Sequence, residues 1–269
     1  MPSSRDSWIY SFPGSQYVQH LGKEAMANIL KAGRVPRHIA FVMDGNRRYA
    51  KLHNQETREG HNAGFESLSQ ILELCYNLGV ECVTIFAFSI ENFKRSPYEV
   101  NNLMELTKAR LEQICERGDL AEQYGIRVKI LGDTKLLRPD VLEVIERTTK
   151  ITENNSKAVL NVCFPYTARN DIAMAVQRTV SLAERGKLDP NDISEETLED
   201  NMYMAGTPKL DILVRTSGVA RLSDFMLWQA HESGTMIDFI PTLWPEFSPW
   251  DMFWIIIKWG YMYNQYHKQ

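Results

Sequence analysis

The residues whose types could do chemistry fall in three polar stretches, each just after an apolar run. Asp44, Gly45, Asn46, Arg47, Arg48 and Tyr49 follow IAFVM in HIAFVMDGNRRYAK; residues 89–95, SIENFKR, follow VTIFAF; residues 215–225, RTSGVARLSDF, follow DILV. Gly45 permits close backbone approach, amides at a helix start can face an anion, and Arg47 and Arg48 add formal positive charge. That set describes a phosphate cradle. Asp44 would repel phosphate oxygens unless a cation stood between them, and Mg²⁺ is the usual one. One acid beside several donors therefore suggests a magnesium-bound diphosphate; a plain turn with a capping aspartate and two solvated arginines uses the same residues. In the third stretch Arg215, Arg221 and Ser223 could converge on a second oxyanion, because arginine grips phosphate bidentately. Taken alone, residues 89–95 are an ordinary polar loop.

Several other chemistries lack their signatures. There is no GxxxxGK[ST], no GxGxxG opening a helix after the first strand, and no GxSxG. His231-Glu232 begins like a zincin motif but has no histidine four residues on, which leaves a surface loop. Cys75, Cys82, Cys115 and Cys163 are widely spaced and form no CxxC pair, so they read as scattered core thiols of a reducing compartment. The formal net charge is −4, which offers nucleic acid no general basic field; any anion site must come from local clusters. The first residues lack a secretory apolar core, and no apolar run reaches the roughly 20 residues needed to cross a bilayer.

The elements that must position these residues follow from periodicity. Apolar runs at 39–43, 83–88, 128–131, 159–164, 211–214 and 236–240 are short, mostly without polar alternation, and predict strands covered on both faces. Helical spacing predicts helices over 62–78 and 97–116, with further ones at 139–153, 170–185, 194–204 and 249–266. Ser96-Pro97-Tyr98-Glu99 predicts a capping box opening the second. Alternating strands and helices imply a mostly parallel sheet, and in such sheets ligands bind beyond the carboxyl ends of the strands. With 269 residues, 44% of them hydrophobic, the chain reads as an N-terminal amphipathic arm, 1–33, and a single α/β domain, 34–269.

With these residues assembled, the sequence resembles the cis-prenyltransferase family, the undecaprenyl and dehydrodolichyl diphosphate synthases. The likeness rests on HIAFVMDGNRRYAK, REGH, FAFSIENFKRS, VNNLMEL, ILVRTSG, RLSDFMLWQ and LWPEF, in family order from about Val35 to Trp250. It is nearest to a eukaryotic, fungal-type catalytic subunit. The resemblance implies a six-stranded, mostly parallel sheet flanked by helices and enclosing a hydrophobic tunnel. It implies Mg²⁺-dependent condensation of isopentenyl diphosphate onto farnesyl diphosphate, giving long-chain dehydrodolichyl diphosphate for dolichol and protein glycosylation. The starter diphosphate falls to Asp44, Gly45, Asn46, Arg47 and Arg48, with Asp44 on the metal and His61 nearby. Isopentenyl diphosphate falls to Arg215, Arg221 and Ser223. Asn92 and Ser89 lie near proton transfer, beside Arg95 and Phe93; Tyr49, Arg58, Glu91 and Leu222 complete the implied substrate-binding set.

Some positions depart from the pattern. Thr57 stands where the family has an arginine, with Arg58 one place later; Val219 and Gly234 stand where bacterial members have glutamates, so the metal shell is incompletely supplied. No arginine-any-glycine triplet occurs near the end, WGYMYNQYHKQ. In the eukaryotic arrangement a catalytically silent partner related to the Nogo-B receptor supplies it. The aromatic segment from Trp250 to Tyr261 could serve that interface or simply be core. The expected location is the cytosolic face of the endoplasmic reticulum, as a peripheral membrane protein, or lipid droplets. Two other readings use the same residues: a non-catalytic scaffold subunit of this fold, and an unrelated α/β phosphate-ester hydrolase.

Overall fold

A computed structural model describes residues 26–114 and 120–266. Cys115 and most of the predicted arm lie outside the described residues. The six apolar runs become six strands: β1 (His38–Val42), β2 (Cys82–Phe86), β3 (Ile126–Leu131), β4 (Ala158–Cys163), β5 (Ile212–Arg215) and β6 (Met236–Phe239). They form one sheet in the order β3-β4-β2-β1-β5-β6, with every neighbouring pair parallel. The longer helices are α1 (Asn46–Leu52), α2 (Thr57–Leu78), α3 (Pro97–Ile114), α4 (Pro139–Thr152), α5 (Ala168–Glu184) and α6 (Pro249–Tyr266).

Strand β1 is buried along its whole length, which explains its lack of polar alternation. Its residues divide between the two faces of the sheet. Ile39 and Phe41 join the larger core, with Leu68, Leu72, Ile145 and Trp259; Ala40 and Val42 join a smaller one with Tyr166, Leu213, Phe225 and Met226. Met26 and Leu30, at the start of the described residues, are buried in the larger core.

Two predicted elements need correction. The helix expected over 194–204 is only Glu195–Glu199, capped by Ser194, and gives way to turns at Asp200. The box expected at Ser96–Glu99 is half formed. Glu99 N–H donates to Ser96 Oγ at 3.3 Å, but the Glu99 carboxylate accepts from Arg95 at 2.7 Å and Arg47 at 3.3 Å instead of returning to the cap. Two guanidiniums outcompete one backbone amide for a carboxylate.

The three motif-bearing strands, β2, β1 and β5, are immediate neighbours at the centre of the sheet. Chain order runs from β1 toward β2 on one side and to β5 and β6 on the other, so the switch in direction falls at β1, where the ends of strands leave a crevice. The polar stretches therefore share one edge although 171 residues separate Asp44 from Arg215.

Candidate active site

The first loop is shaped by contact with its neighbours. Gly45 has φ 115°, and a Cβ there would meet Leu243 Cδ2 at 3.0 Å. Helix α1 then lies close on α2, because a Cβ on Gly64 would press into Asn46 Oδ1 and stand 3.0 Å from Trp244 Cδ1. Trp244, fully buried, locks this corner by donating Nε1–H to Gly64 O at 2.7 Å.

The third loop returns to the first. Arg215, with its side chain 4% exposed, donates Nη2–H to Asp44 Oδ2 at 3.0 Å. Its Nη1 donates to Ser223 Oγ at 2.7 Å and to Arg221 O, while Arg221 Nε–H reaches the same Ser223 Oγ at 3.2 Å. Arg48 donates to Ser217 Oγ, and Thr216 Oγ1–H to Asp44 O at 2.7 Å. Thus the two predicted anion clusters share a wall, a link that spacing alone does not disclose. Two polar atoms here, Arg215 Nε and Asn46 Oδ1, are buried with no protein partner, as fits groups that serve a ligand.

In the second loop Asn92 Oδ1 accepts Ser89 N–H at 3.0 Å and Ser89 Oγ accepts Glu91 N–H at 3.2 Å. These bonds fold residues 89–95 tightly and leave the Asn92 amide and the Ser89 hydroxyl to act as donors. His61, on α2, has its pKa lowered by burial and then by the Arg47 and Arg95 charges, against a smaller opposing effect of Glu99. It is neutral at pH 7.

All three loops open on one cavity of about 770 Å³. Asp44 through Arg48, His61, Ser89, Glu91, Asn92, Arg95, Arg215, Arg221 and Ser223 line it. From them it extends between the sheet and helices α2 and α3, past Leu68, Leu72, Leu103, Leu106 and Leu111, to Ile126 and Val128 of β3. Tyr49, Arg58, Phe93 and Leu222 do not line it. Tyr49 stacks on His53 at 4.1 Å, Arg58 is exposed on the first turn of α2, Phe93 packs edge-on to Phe88 at 5.0 Å, and Leu222 packs on the smaller core. Among the lining residues that escape the sequence reading are Trp244, Asp224, and Arg110, whose guanidinium lies over Phe65 at 4.2 Å and donates to Asn62 Oδ1 at 2.7 Å. Trp244 lies within LWPEF, which marks the block without marking this residue; an arginine on a helix otherwise reads as solvated.

Residues 42–267 match the family described as putative undecaprenyl diphosphate synthase. The chain belongs to that family. Among relatives of this synthase-family chain, a dehydrodolichyl diphosphate synthase complex subunit of Schizosaccharomyces pombe is 52% identical over 251 residues, 93% of this chain and 95% of the relative. A human subunit of the same description is 47% identical over 232 residues, 86% of this chain and 69% of the relative. The crystal structure of lavandulyl diphosphate synthase from Lavandula x intermedia, in complex with dimethylallyl diphosphate, superposes with a TM-score of 0.78 at 30% identity, covering 84% of this chain and 95% of that one.

Among the described residues no group of three or more His, Cys, Asp or Glu could hold a metal alone. In this synthase-family chain the acid at the cradle is Asp44, 37% exposed at its side chain and set beside the arginines. That donor set suits Mg²⁺, which keeps several waters and binds through one or two carboxylates plus substrate phosphates rather than in an all-protein cage.

Proposed function

We propose that this chain is the catalytic subunit of a cis-prenyl chain-elongating enzyme that condenses isopentenyl diphosphate onto farnesyl diphosphate and makes dehydrodolichyl diphosphate for dolichol synthesis. The observation that carries the reading is the Asp44–Arg215–Ser223 constellation at the polar mouth of an apolar cavity. Such a cavity accepts a substrate with a diphosphate head and a hydrocarbon tail. Each buried CH₂ favours retention by about 0.8 kcal/mol, so the growing chain stays bound between additions.

In this reading the starter diphosphate lies on the Gly45–Arg48 segment and isopentenyl diphosphate on Arg215, Arg221 and Ser223. Asp44 would hold Mg²⁺. The bound ion would neutralise charge that builds on the departing diphosphate. Arg47, Arg48 and the loop amides stabilise that charge from fixed positions, more in the transition state than before it. The allylic carbon–oxygen bond breaks as the double bond of isopentenyl diphosphate attacks, in a geometry fixed by the second cradle. A proton is then lost. We assign it to a diphosphate oxygen, oriented by the Asn92 amide and the Ser89 hydroxyl, neither of which is itself a base at neutral pH. Tyr49, Phe93 and Leu222 act from outside the cavity wall by packing beside the loops that carry these groups.

The relatives are described as complex subunits, which supports a partner for this chain. We assign that partner as a Nogo-B-receptor-like subunit supplying an arginine-any-glycine motif. No described helix is long and apolar enough to cross a membrane; with an isoprenoid lipid product, we place the complex peripherally at the endoplasmic reticulum, the arm 1–33 preceding the catalytic domain.

The test is elongation by the chain together with its accessory subunit, given farnesyl diphosphate and labelled isopentenyl diphosphate. Long polyprenyl diphosphates are expected, and Asp44→Ala removes them. No elongation with the authentic partner would refute the proposal. Full activity of the Asp44→Ala complex would make this chain the passive scaffold.

A further inference from the structure

The first turn of α5 holds a different loop as well as starting a helix. The leading N–H groups of a helix have no partners within it. In α5, Asn170 N–H donates to Thr167 Oγ1 at 3.3 Å and Asp171 N–H to Thr167 O at 3.0 Å. The two earlier donors reach Asp224, far along the chain: Ala168 N–H to its carbonyl oxygen at 2.7 Å and Arg169 N–H to Oδ1 at 3.0 Å. The Arg169 side chain completes the grip, Nε–H donating to Asp224 Oδ2 at 2.7 Å. The Asp224 side chain is only 12% exposed.

What this grip holds is an unusual backbone. Ser223 and Asp224 both have left-handed φ, 53° and 60°, a region side chains adopt rarely and serine without the local compensation open to Asp or Asn. In that conformation Ser223 Oγ faces both Arg215 and Arg221. Relaxation to an extended backbone would swing Ser223 off the two guanidiniums. The same segment also ties the second loop: Tyr166 N–H donates to Phe88 O at 3.0 Å, Ile90 N–H to Tyr166 O at 3.3 Å, and Arg169 Nη2 stands 3.8 Å from Glu91 Oε1.

We propose that Arg169 and Asp224 are positioning residues for the isopentenyl diphosphate site, holding Ser223 in register with Arg215 and Arg221 without touching the substrate carbon chain. This rests on the assignment of that substrate made above. It weights the two anion sites differently: the starter cradle at Gly45–Arg48 touches the third loop through Arg48–Ser217 and Asp44–Arg215 but has further support in α2 and Trp244, whereas Ser223 is held from α5.

Steady-state kinetics of the chain with its accessory subunit test this, each substrate varied in turn, for Arg169→Ala, Arg169→Lys and Asp224→Asn. Arg169 is 73% exposed at its side chain, so its loss leaves folding intact. We expect KM for isopentenyl diphosphate to rise about fivefold to thirtyfold in Arg169→Ala and Asp224→Asn, with KM for farnesyl diphosphate within about twofold and Tm unchanged. Arg169→Lys recovers part of the loss, since it keeps the charge but not the forked geometry. Calorimetric titration with isopentenyl diphosphate alone should show the same weakening in Kd. If both KM values rise together, or Tm falls in step with activity, the role is general folding and the proposal is overturned. An active parent with unchanged isopentenyl KM and Kd in the variants overturns it alone; a parent complex that neither elongates nor binds isopentenyl diphosphate overturns the functional reading with it.

Discussion

Two glycines on one face of α2 allow a single methyl group to separate stability from substrate binding. Both lie under α1. A Cβ on Gly60 would press into the backbone oxygen of Asn46 and stand 3.0 Å from Ala50 Cβ; a Cβ on Gly64 would press into the Asn46 side-chain oxygen. Alanine is favoured over glycine within a helix by about 1 kcal/mol, so propensity alone makes both substitutions stabilising. Overpacking costs about 1–3 kcal/mol where nothing can move. At Gly60 the obstacle is backbone, and α1 must shift. At Gly64 the nearest obstacle is the end of a side chain that can swing away, at the cost of the Asn46 Nδ2–H bond to Met43 O, 3.2 Å long, worth about 0.5–1.5 kcal/mol; the Trp244 ring, 3.0 Å off, has to give by only a few tenths of an ångström. With backbone as the obstacle at Gly60 the overpacking cost falls in the upper part of its range, about 2–3 kcal/mol, so Gly60→Ala should lose about 1–2 kcal/mol net, a Tm lower by roughly 2–8 °C for a chain this size. Gly64→Ala should melt within about 2 °C of the parent yet raise KM for farnesyl diphosphate, because the displaced amide belongs to the starter cradle. Thermal melting and substrate kinetics on the two variants decide. A Gly60→Ala protein at or above the parental Tm, or two variants that behave alike, would refute the reasoning.

Other perturbations follow from the same contacts. His38 is buried and neutral, donating Nδ1–H to Pro208 O at 2.9 Å and accepting at Nε2 from Thr84 at 2.7 Å, and burial lowers its pKa to about 4. Its neutral form is the stable one, so the contribution is full above the unfolded value near 6.5 and is lost as pH falls toward 4, up to about 3 kcal/mol; Tm measured from pH 7 to 4 should fall more steeply in the parent than in His38→Gln. Arg215→Lys keeps one charge but cannot reach Asp44, Ser223 and Arg221 O at once; KM for isopentenyl diphosphate should rise about tenfold to a hundredfold, and an unchanged value would remove Arg215 from that site. Chelation should abolish elongation and added Mg²⁺ restore it; activity persisting in excess chelator would exclude the metal. Leu106→Trp, which fills the apolar arm of the cavity, should shorten the products seen by mass spectrometry.

Strand and loop positions are legible in the sequence because the central strands are buried and read as continuous apolar runs, while the edge strands β3 and β6 are only partly covered, and because Gly45 and the arginines stand where such runs stop. The helix opening at Pro97 is legible for the same local reason. What is not legible involves partners distant in the chain. Glu99 reads as a capping residue until Arg47 and Arg95 are placed beside it. Leu68, Leu103 and Leu106 have the periodicity of core residues, and only assembled helices show them facing a cavity. Tyr49 sits inside the most informative motif yet turns to His53, because successive helical residues point in different directions. The Arg169–Asp224 grip joins two stretches that local patterning gives no reason to connect.

The ion pair between Asp44 and Arg215 has a consequence for selectivity between turnovers. A guanidinium already engaged by a carboxylate is a poor trap for a single stray phosphate, whose charge must displace an equal one already in place. A diphosphate that carries its own divalent ion would offer Asp44 a cation and Arg215 an anion together, so one opposite-charge pairing would be exchanged for two. The resting pair would therefore favour a cation and an anion delivered together over either delivered singly.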